Sequence, residues 1–399
     1  MQQHRPIKTD HSTTPNDLRT TQDTHSPFNF PTFRMSRTAD ILVIGGGIIG
    51  LLTAREFSLA GTRTTVIERH RVGQEASWAG GGILFPLYPW KQPETIASLC
   101  LKSLDHYPQL AADLHQQTGI DTELTTSGML VCDNLDGQNA LCWCDKHSVQ
   151  AVQLSCKQIE TLIPKLDPTL IQPLWLPEIC QIRNPRLIHA LHKDLNQRGV
   201  KIYENLEVEQ LPQTDARIVS VKTTRGNFSA DRYVVTAGAW SNRLLQSKRP
   251  RPHVYPVKGE MLLYKTEPGL LQQIVLNDNK YLIPRLDGHI LVGSTIEYCG
   301  FQKEPSAFAR NSLQNFATSI FPPLANYAIA NHWAGLRPGS PSGIPFIGNH
   351  PKIKNLSFNC GHFRNGFSMA PASAQLLVDL TLNRPTSLSP ENYALDAKR

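Results

Sequence analysis

The 399-residue sequence predicts a mixed α/β fold in two domains, on three observations. A short apolar strand runs directly into Gly45-Gly46-Gly47-Ile48-Ile49-Gly50 and a helical pattern. A β-branched strand at 231–235 ends in the small-residue turn Thr236-Ala237-Gly238-Ala239. Further strands separated by turn signals lie between residues 257 and 295. Composition agrees with a packed chain, since 40% of residues are hydrophobic and only 18% charged, which excludes wholesale disorder.

Residues 1–34 stand apart. They are rich in Thr, His, Pro, Gln and Asn without apolar periodicity, and are expected to be a disordered leader. They lack the hydrophobic stretch of a secretory signal, and Asp10, Asp17 and Asp23 do not fit an organelle transit peptide. Met35 stands directly before the first strand and is the expected start of the folded protein. The longest apolar stretch, 41–54, is shorter than the ~20 residues that span a bilayer and holds four glycines, so no membrane span is expected.

The first folded unit reads strand 39–44, glycine turn, then a helix carrying Leu51, Leu52, Ala54 and Phe57, followed by the strand Thr64–Ile67 and Glu68. This is a dinucleotide fingerprint in its full setting. Gly45 permits the tight turn, Gly47 lets the backbone approach a pyrophosphate, and Gly50 lets the helix pack closely on the strand. Glu68 stands where an acid hydrogen-bonds the ribose hydroxyls. The fingerprint alone does not separate NAD from FAD. The small-residue segment Ser77-Trp78-Ala79-Gly80-Gly81-Gly82-Ile83 adds a backbone against which a flat ring system can lie.

A helix at 185–198 and strands at 200–203 and 206–211 lead to the returning strand at 231–235, so the dinucleotide domain is discontinuous. Its expected segments are 35–90, 178–250 and 330–393. Strands at 257–264, Lys280–Pro284 and 289–295, with Asp287-Gly288 as a hairpin turn, build a second α+β domain from 91–177 and 251–329 on a mixed or antiparallel sheet.

Toward the C-terminus, Arg337 lies in the apolar, turn-forming stretch 332–341, where a planar guanidinium can grip a carboxylate through two parallel hydrogen bonds. The strand Leu356–Cys360 ends in Gly361-His362-Phe363-Arg364-Asn365-Gly366, before a helical pattern at 369–380 whose N-terminus can receive developing negative charge. His362 invites an acid/base role, weighed against a hydrogen-bonding residue at a crowded turn.

Other chemistries find little support. The net charge of +7 is spread over the chain and favours anionic small molecules at most. The run Lys248-Arg249-Pro250-Arg251 has no aromatic partners and reads as a solvated loop, so no nucleic acid is expected. Eight cysteines without a CxxC pair argue against zinc and a disulfide framework; Cys142 and Cys144 read as ordinary thiols, and His189 and His192 as a surface pair.

Taken together, the fingerprint, 77–83, Pro256-Val257-Lys258-Gly259, Tyr281-Leu282-Ile283-Pro284-Arg285, 333–339 and 361–366 resemble the D-amino-acid oxidase family of FAD-dependent oxidoreductases over about residues 39–393. The resemblance implies a Rossmann-like FAD-binding domain and a substrate domain. FAD would be held at Gly45, Gly47, Ile48, Ile49, Gly50, Glu68, Arg69, Ala76, Ser77, Gly81, Gly82, Ile83, Val208, His362, Phe363, Arg364, Asn365, Gly366, Phe367 and Ser368. Its attachment would be non-covalent, because the cysteine segment that carries flavin in sarcosine oxidases has no match here. Arg337 would bind the substrate carboxylate with help from Tyr281, and Arg364 would meet substrate and flavin together. Ile296 stands where a relative has a pocket methionine, which leaves side-chain selectivity open.

Within the family the chain resembles the glycine-oxidising branch. That implies oxidation of glycine, sarcosine or D-amino acids by oxygen to the imine or glyoxylate, with ammonia and hydrogen peroxide, supplying dehydroglycine for the thiazole of thiamine. Alternatives are a broader D-amino-acid oxidase, a dehydrogenase that feeds a quinone, or action on a modified tRNA base. A cytoplasmic homo-oligomer, with a tetramer as one arrangement, is the accompanying expectation.

Overall fold

The structure, a computed structural model, describes residues 37–133, 136–167 and 173–399. The expected leader 1–34 and the start at Met35 lie outside them. Two eight-stranded sheets belong to one compact unit.

The first sheet runs Phe346–Asn349, Leu356–Cys360, Gly226–Val235, Arg37–Ile44, Thr64–Ile67 and Lys201–Tyr203, with Val221–Thr223 and Val208–Gln210 added by antiparallel pairing. Its four central pairings are parallel. Ile41 to Ile44 and Thr64 to Ile67 are buried throughout, as strands covered on both faces must be. Ile44 is in register with both Val235 and Ile67, so three strands end at one level. The helices Ile48–Leu59, Glu94–Leu104, Tyr107–Thr118, Asn184–Gln197 and Gly366–Thr381 share one apolar core with this sheet. Buried Arg55 ties three of them, with Nε 3.2 Å from Asp194 and Nη2 3.1 Å from Asp113.

In the second sheet the order is Ile329–Gly339, Tyr255–Lys265, His289–Gly293, Lys280–Pro284, Ile274–Asn277, Met129–Val131, Leu174–Leu176 and Val152–Gln153. Every pairing is antiparallel except Ile274–Asn277 with Met129–Val131, in line with the expected mixed sheet. Alternate residues serve opposite faces. Leu262, Leu282 and Val292 pack with the helix Ala307–Ile320, whereas Met261, Tyr281 and Ile283 pack with Phe85 and Tyr88.

Two stretches fall on a different side from the one the sequence assigns. Residues 329–339 are not a turn-forming part of the dinucleotide segment 330–393 but the edge strand of the second sheet, paired with Tyr255–Lys265 along its length. An edge tolerates Pro338, which has no amide to donate, and Gly335 admits a close approach to Ala79. The helices Glu94–Leu104 and Tyr107–Thr118, assigned to the substrate domain, place Ile96, Leu99, Tyr107 and Leu110 in the core of the first sheet. The basic run is also less solvated than expected. Lys248 is buried, with burial lowering its pKa, and donates to Gln213, while Arg251 donates to the Gln246 carbonyl.

Among the described residues no helix is long and apolar enough to cross a membrane. None of their His, Cys, Asp and Glu side chains cluster in threes as metal ligands, and all eight cysteines are free thiols.

Two consequences for stability follow. A methyl group at Gly50 would stand 1.9 Å from the Gly45 carbonyl oxygen and 2.7 Å from Thr236 Oγ1. Gly50→Ala is expected to destabilise the protein by roughly 1–3 kcal/mol, measured by urea denaturation. His362 is buried and burial holds its pKa at about 3, so the native ring stays neutral. An unfolded histidine gains its proton as pH falls through ~6.5, so stability is lost from there downward. Between pH 7 and pH 5 the parent should lose on the order of 2 kcal/mol more than His362→Gln in the same titration.

Candidate active site

A cavity of about 460 Å³ opens where the three parallel strands end and the second sheet approaches. At Gly45 the backbone has φ +116°, and an added Cβ would stand 2.5 Å from the Thr236 carbonyl oxygen, so only glycine fits. The Thr236 hydroxyl donates to the Gly45 carbonyl at 2.9 Å and fixes the turn from the neighbouring strand. Glu68 accepts from the Gly46 amide at 2.7 Å and the His70 amide at 3.0 Å, which aims its carboxylate beside the turn. At the helix N-terminus Ser77 Oγ accepts from the Ile48 amide at 2.9 Å. That bond leaves the hydroxyl proton free to donate into the cavity, next to the Ile49 amide of the first turn.

The segment 77–83 shows a one-sided pattern of hydrogen bonding. Asn184 Nδ2 donates to the Ser77 and Gly80 carbonyls at 3.1 and 2.9 Å. Arg285 donates to Gly81 O at 2.8 Å, the Ile182 amide to Gly82 O at 2.9 Å, and Ser368 Oγ to Ile83 O at 3.2 Å. The amides of Gly81, Gly82 and Ile83 have no acceptor among the described residues, and all three residues line the cavity. Unsatisfied donors in a row require an acceptor-rich partner. An acid beside the turn, a helix N-terminus and this row of amides together fit a flavin adenine dinucleotide, for which Glu68 would hold the ribose, Ile48 and Ile49 the pyrophosphate, and Gly81 to Ile83 the ring.

Opposite that row stand Arg337, Arg364 and Tyr281. Arg337 Nη1 donates to Thr295 O at 3.1 Å and to Lys258 O at 3.5 Å, and Nη2 to Ser294 Oγ at 2.6 Å. The guanidinium lies over Gly259, where an added Cβ would stand 2.0 Å from Nη1. Arg364 Nη1 donates to Asn279 Oδ1 at 3.1 Å. Burial, then the charge of Arg337, lowers the pKa of Arg364, and both groups remain cations. Among the described residues neither has a carboxylate within ion-pair distance. Among the described residues, buried Tyr281 has only the Met261 thioether as hydroxyl acceptor, at 3.5 Å.

The structure therefore gathers the expected residues with one exception. Gly45, Gly47, Ile48, Ile49, Glu68, Arg69, Ala76, Ser77, Gly81, Gly82, Ile83, Val208 and residues 362–368 line the cavity together with Tyr281 and Arg337. Gly50 does not; it serves the packing of helix on strand. Arg69 lines the cavity while committed elsewhere, 2.7 Å from Glu75 and 3.5 Å above the Trp240 ring. His362 Nε2 lies 3.2 Å from Ser373 Oγ, and burial holds its pKa at about 3, which makes the ring a weak base and no acid at neutral pH. Ile296 is 39% exposed and not among the lining residues. Sequence reasoning missed Gly259, Met261 and Trp240, which line the cavity, and Asn184 and Arg285 behind it.

Comparison with known proteins agrees with this geometry. The pattern of the FAD dependent oxidoreductase family matches residues 40–380. A glycine oxidase of Pseudomonas aeruginosa is 42% identical over 355 residues, covering 89% of this chain and 98% of that protein. The bifunctional protein ThiO/ThiG of Synechocystis sp. is 34% identical over 376 residues, covering 92% of this chain and 54% of that longer protein. The crystal structure of glycine oxidase from Geobacillus kaustophilus superposes with a TM-score of 0.87 at 26% identity, covering 91% of this chain and 100% of that one. With a match across most of its folded length and a cavity built for the dinucleotide, the chain belongs to the family of FAD dependent oxidoreductases.

Proposed function

We propose that the protein oxidises glycine, and more slowly sarcosine or small D-amino acids, to the imine, which water converts to glyoxylate and ammonia. The observation that carries this reading is the Arg337 guanidinium, held by neutral acceptors and without a carboxylate of its own. A buried cation in that state favours a ligand carboxylate, and the planar fork fixes the ligand's orientation. Arg364 adds a second positive charge to the same cavity. Tyr281 gives up only a weak sulfur acceptor when it turns its hydroxyl to the substrate.

FAD held there would supply the electron sink: the amine loses a hydride from carbon and a proton from nitrogen, and oxygen takes up the two electrons and two protons as hydrogen peroxide. The chain's own contribution is placement and electrostatics. Burial makes His362 a weak base and Ser373 holds its ring, and among the described residues no carboxylate lies within ion-pair distance of Arg337, so no strong base faces the C–H bond. The substrate amine then has to react in its neutral form, its lone pair assisting departure of the α-hydrogen. No cysteine lines the cavity among the described residues, which supports non-covalent FAD.

The glycine oxidase of Pseudomonas aeruginosa supports the choice of substrate, and the ThiO/ThiG relative supports a supply of dehydroglycine to the thiazole of thiamine. Exposed Tyr298 and Phe308, 72% and 86% accessible, support a homo-oligomer, with a tetramer as one arrangement. We place the protein in the cytoplasm.

Anaerobic glycine is expected to bleach the flavin spectrum of the purified protein, and air to restore it with release of peroxide. A spectrum untouched by glycine but bleached by D-alanine would move the assignment to D-amino acids. Replacing Arg337 by Ala should raise the KM for glycine by about 100-fold, the loss of a charge-assisted pair of hydrogen bonds. Initial rates against glycine concentration test it, and an unchanged KM would remove Arg337 from the site.

A further inference from the structure

Arg285 follows the strand Lys280–Pro284 and is buried, yet no carboxylate lies within ion-pair distance of it among the described residues. Its Nη1 donates to Gln181 Oε1 at 2.6 Å and to Ile182 O at 3.1 Å, and its Nη2 to Gly81 O at 2.8 Å. The nearby acids are engaged by other partners. Glu123 pairs with Arg183 at 3.1 Å and Arg186 at 3.3 Å, and Asp287 with Arg183 at 2.8 Å and His289 at 2.9 Å. Burying a guanidinium on neutral acceptors alone is costly, so this charge is not there for stability.

Peptide geometry shows what it does. In a trans peptide the carbonyl and the following amide point in opposite directions. Asn184 on the Gly80 carbonyl therefore aims the Gly81 amide, Arg285 on Gly81 O aims the Gly82 amide, and the Ile182 amide on Gly82 O aims the Ile83 amide. These are the three unsatisfied amides that line the cavity. Arg285 holds the middle one and is the only charged group of the three.

We propose that Arg285 is a positioning residue for the flavin: through the Gly81 carbonyl it holds the Gly82 amide against the ring and sets a positive charge behind it. The bound ring then accepts negative charge more readily. The inference rests on the family's cofactor and not on the proposed substrate.

The test is sulfite, which adds to an oxidised flavin as an anion and is followed by loss of visible absorbance in the holoprotein. Arg285→Gln should weaken sulfite binding at least tenfold and lower the flavin midpoint potential. Arg285→Lys keeps the charge and loses the fork, and should weaken sulfite binding about threefold. The lysine variant decides alone if the glutamine variant fails to fold or hold FAD. Sulfite affinity within twofold of the parent, in whichever of the two holds FAD, would overturn the proposal even if thermal stability fell. Neither readout uses an amine, so a failure of the glycine assignment leaves this test intact.

Discussion

The parallel register that brings Ile44, Ile67 and Val235 to a common level crowds three following segments together at one sheet edge. Only small residues fit there. Gly45 lies under the Thr236 carbonyl, Gly50 lies against the Gly45 carbonyl, and the Thr236 hydroxyl bonds back to Ile44 and Gly45. The dinucleotide turn is thus held from a strand nearly two hundred residues away, through contacts with no room for a methyl group. A shift of the returning strand by one residue would replace Thr236 and remove both the clamp and the space.

The second sheet reaches the cavity by a similar device. Along one rung Met261 pairs with Gly293 and Gly293 with Tyr281. Because Gly293 has no side chain, the Met261 thioether and the Tyr281 ring meet across the middle strand. One rung over, Gly259 leaves the space in which the Arg337 guanidinium lies, and its partner Gly335 packs on Ala79 of the flavin-side segment. Glycine in a strand interior weakens the strand. Here each absence makes room for a functional side chain or for the approach of the two sheets.

Much of the first sheet was legible because its signals are local. A strand, a glycine turn, a helix and an acid follow one another within thirty residues, and each residue type has its own steric or electrostatic reason to be there. The edge strand 329–339 was not legible, since its glycines and proline read as turns until a partner strand supplies the ladder. The helices at 94–118 carry apolar stripes that do not say which sheet they cover; the Tyr107 hydroxyl on the Phe367 carbonyl settles it. Arg337 could be singled out as an arginine among apolar neighbours, but the glycine beneath it belongs to another strand. Arg285 stands inside the 281–285 motif, but the sequence gives it no role, because its acceptors are two carbonyls and an amide oxygen about a hundred or more residues away.

Charge is distributed unevenly around the cavity, and this distribution, not the net charge of the chain, bears on its chemistry. The lining acids Glu68, Glu75, Glu207 and Glu209 come from strands and connections of the first sheet, as do the lining cations Arg69 and Arg243. Arg337 comes from the second sheet and Arg364 from the turn after Leu356–Cys360, both without a carboxylate within ion-pair distance among the described residues, with Arg285 one peptide behind the wall. Burial and then Arg337 lower the pKa of Arg364, and burial and then Arg183 lower that of Arg285, so a positive charge costs more at both positions than in water. That cost falls when an anion enters and falls again when negative charge builds on a ring held against the amides. A site arranged this way would stabilise a substrate carboxylate and electron transfer through the same field, so the proposed oxidation asks for no general base beside Arg337.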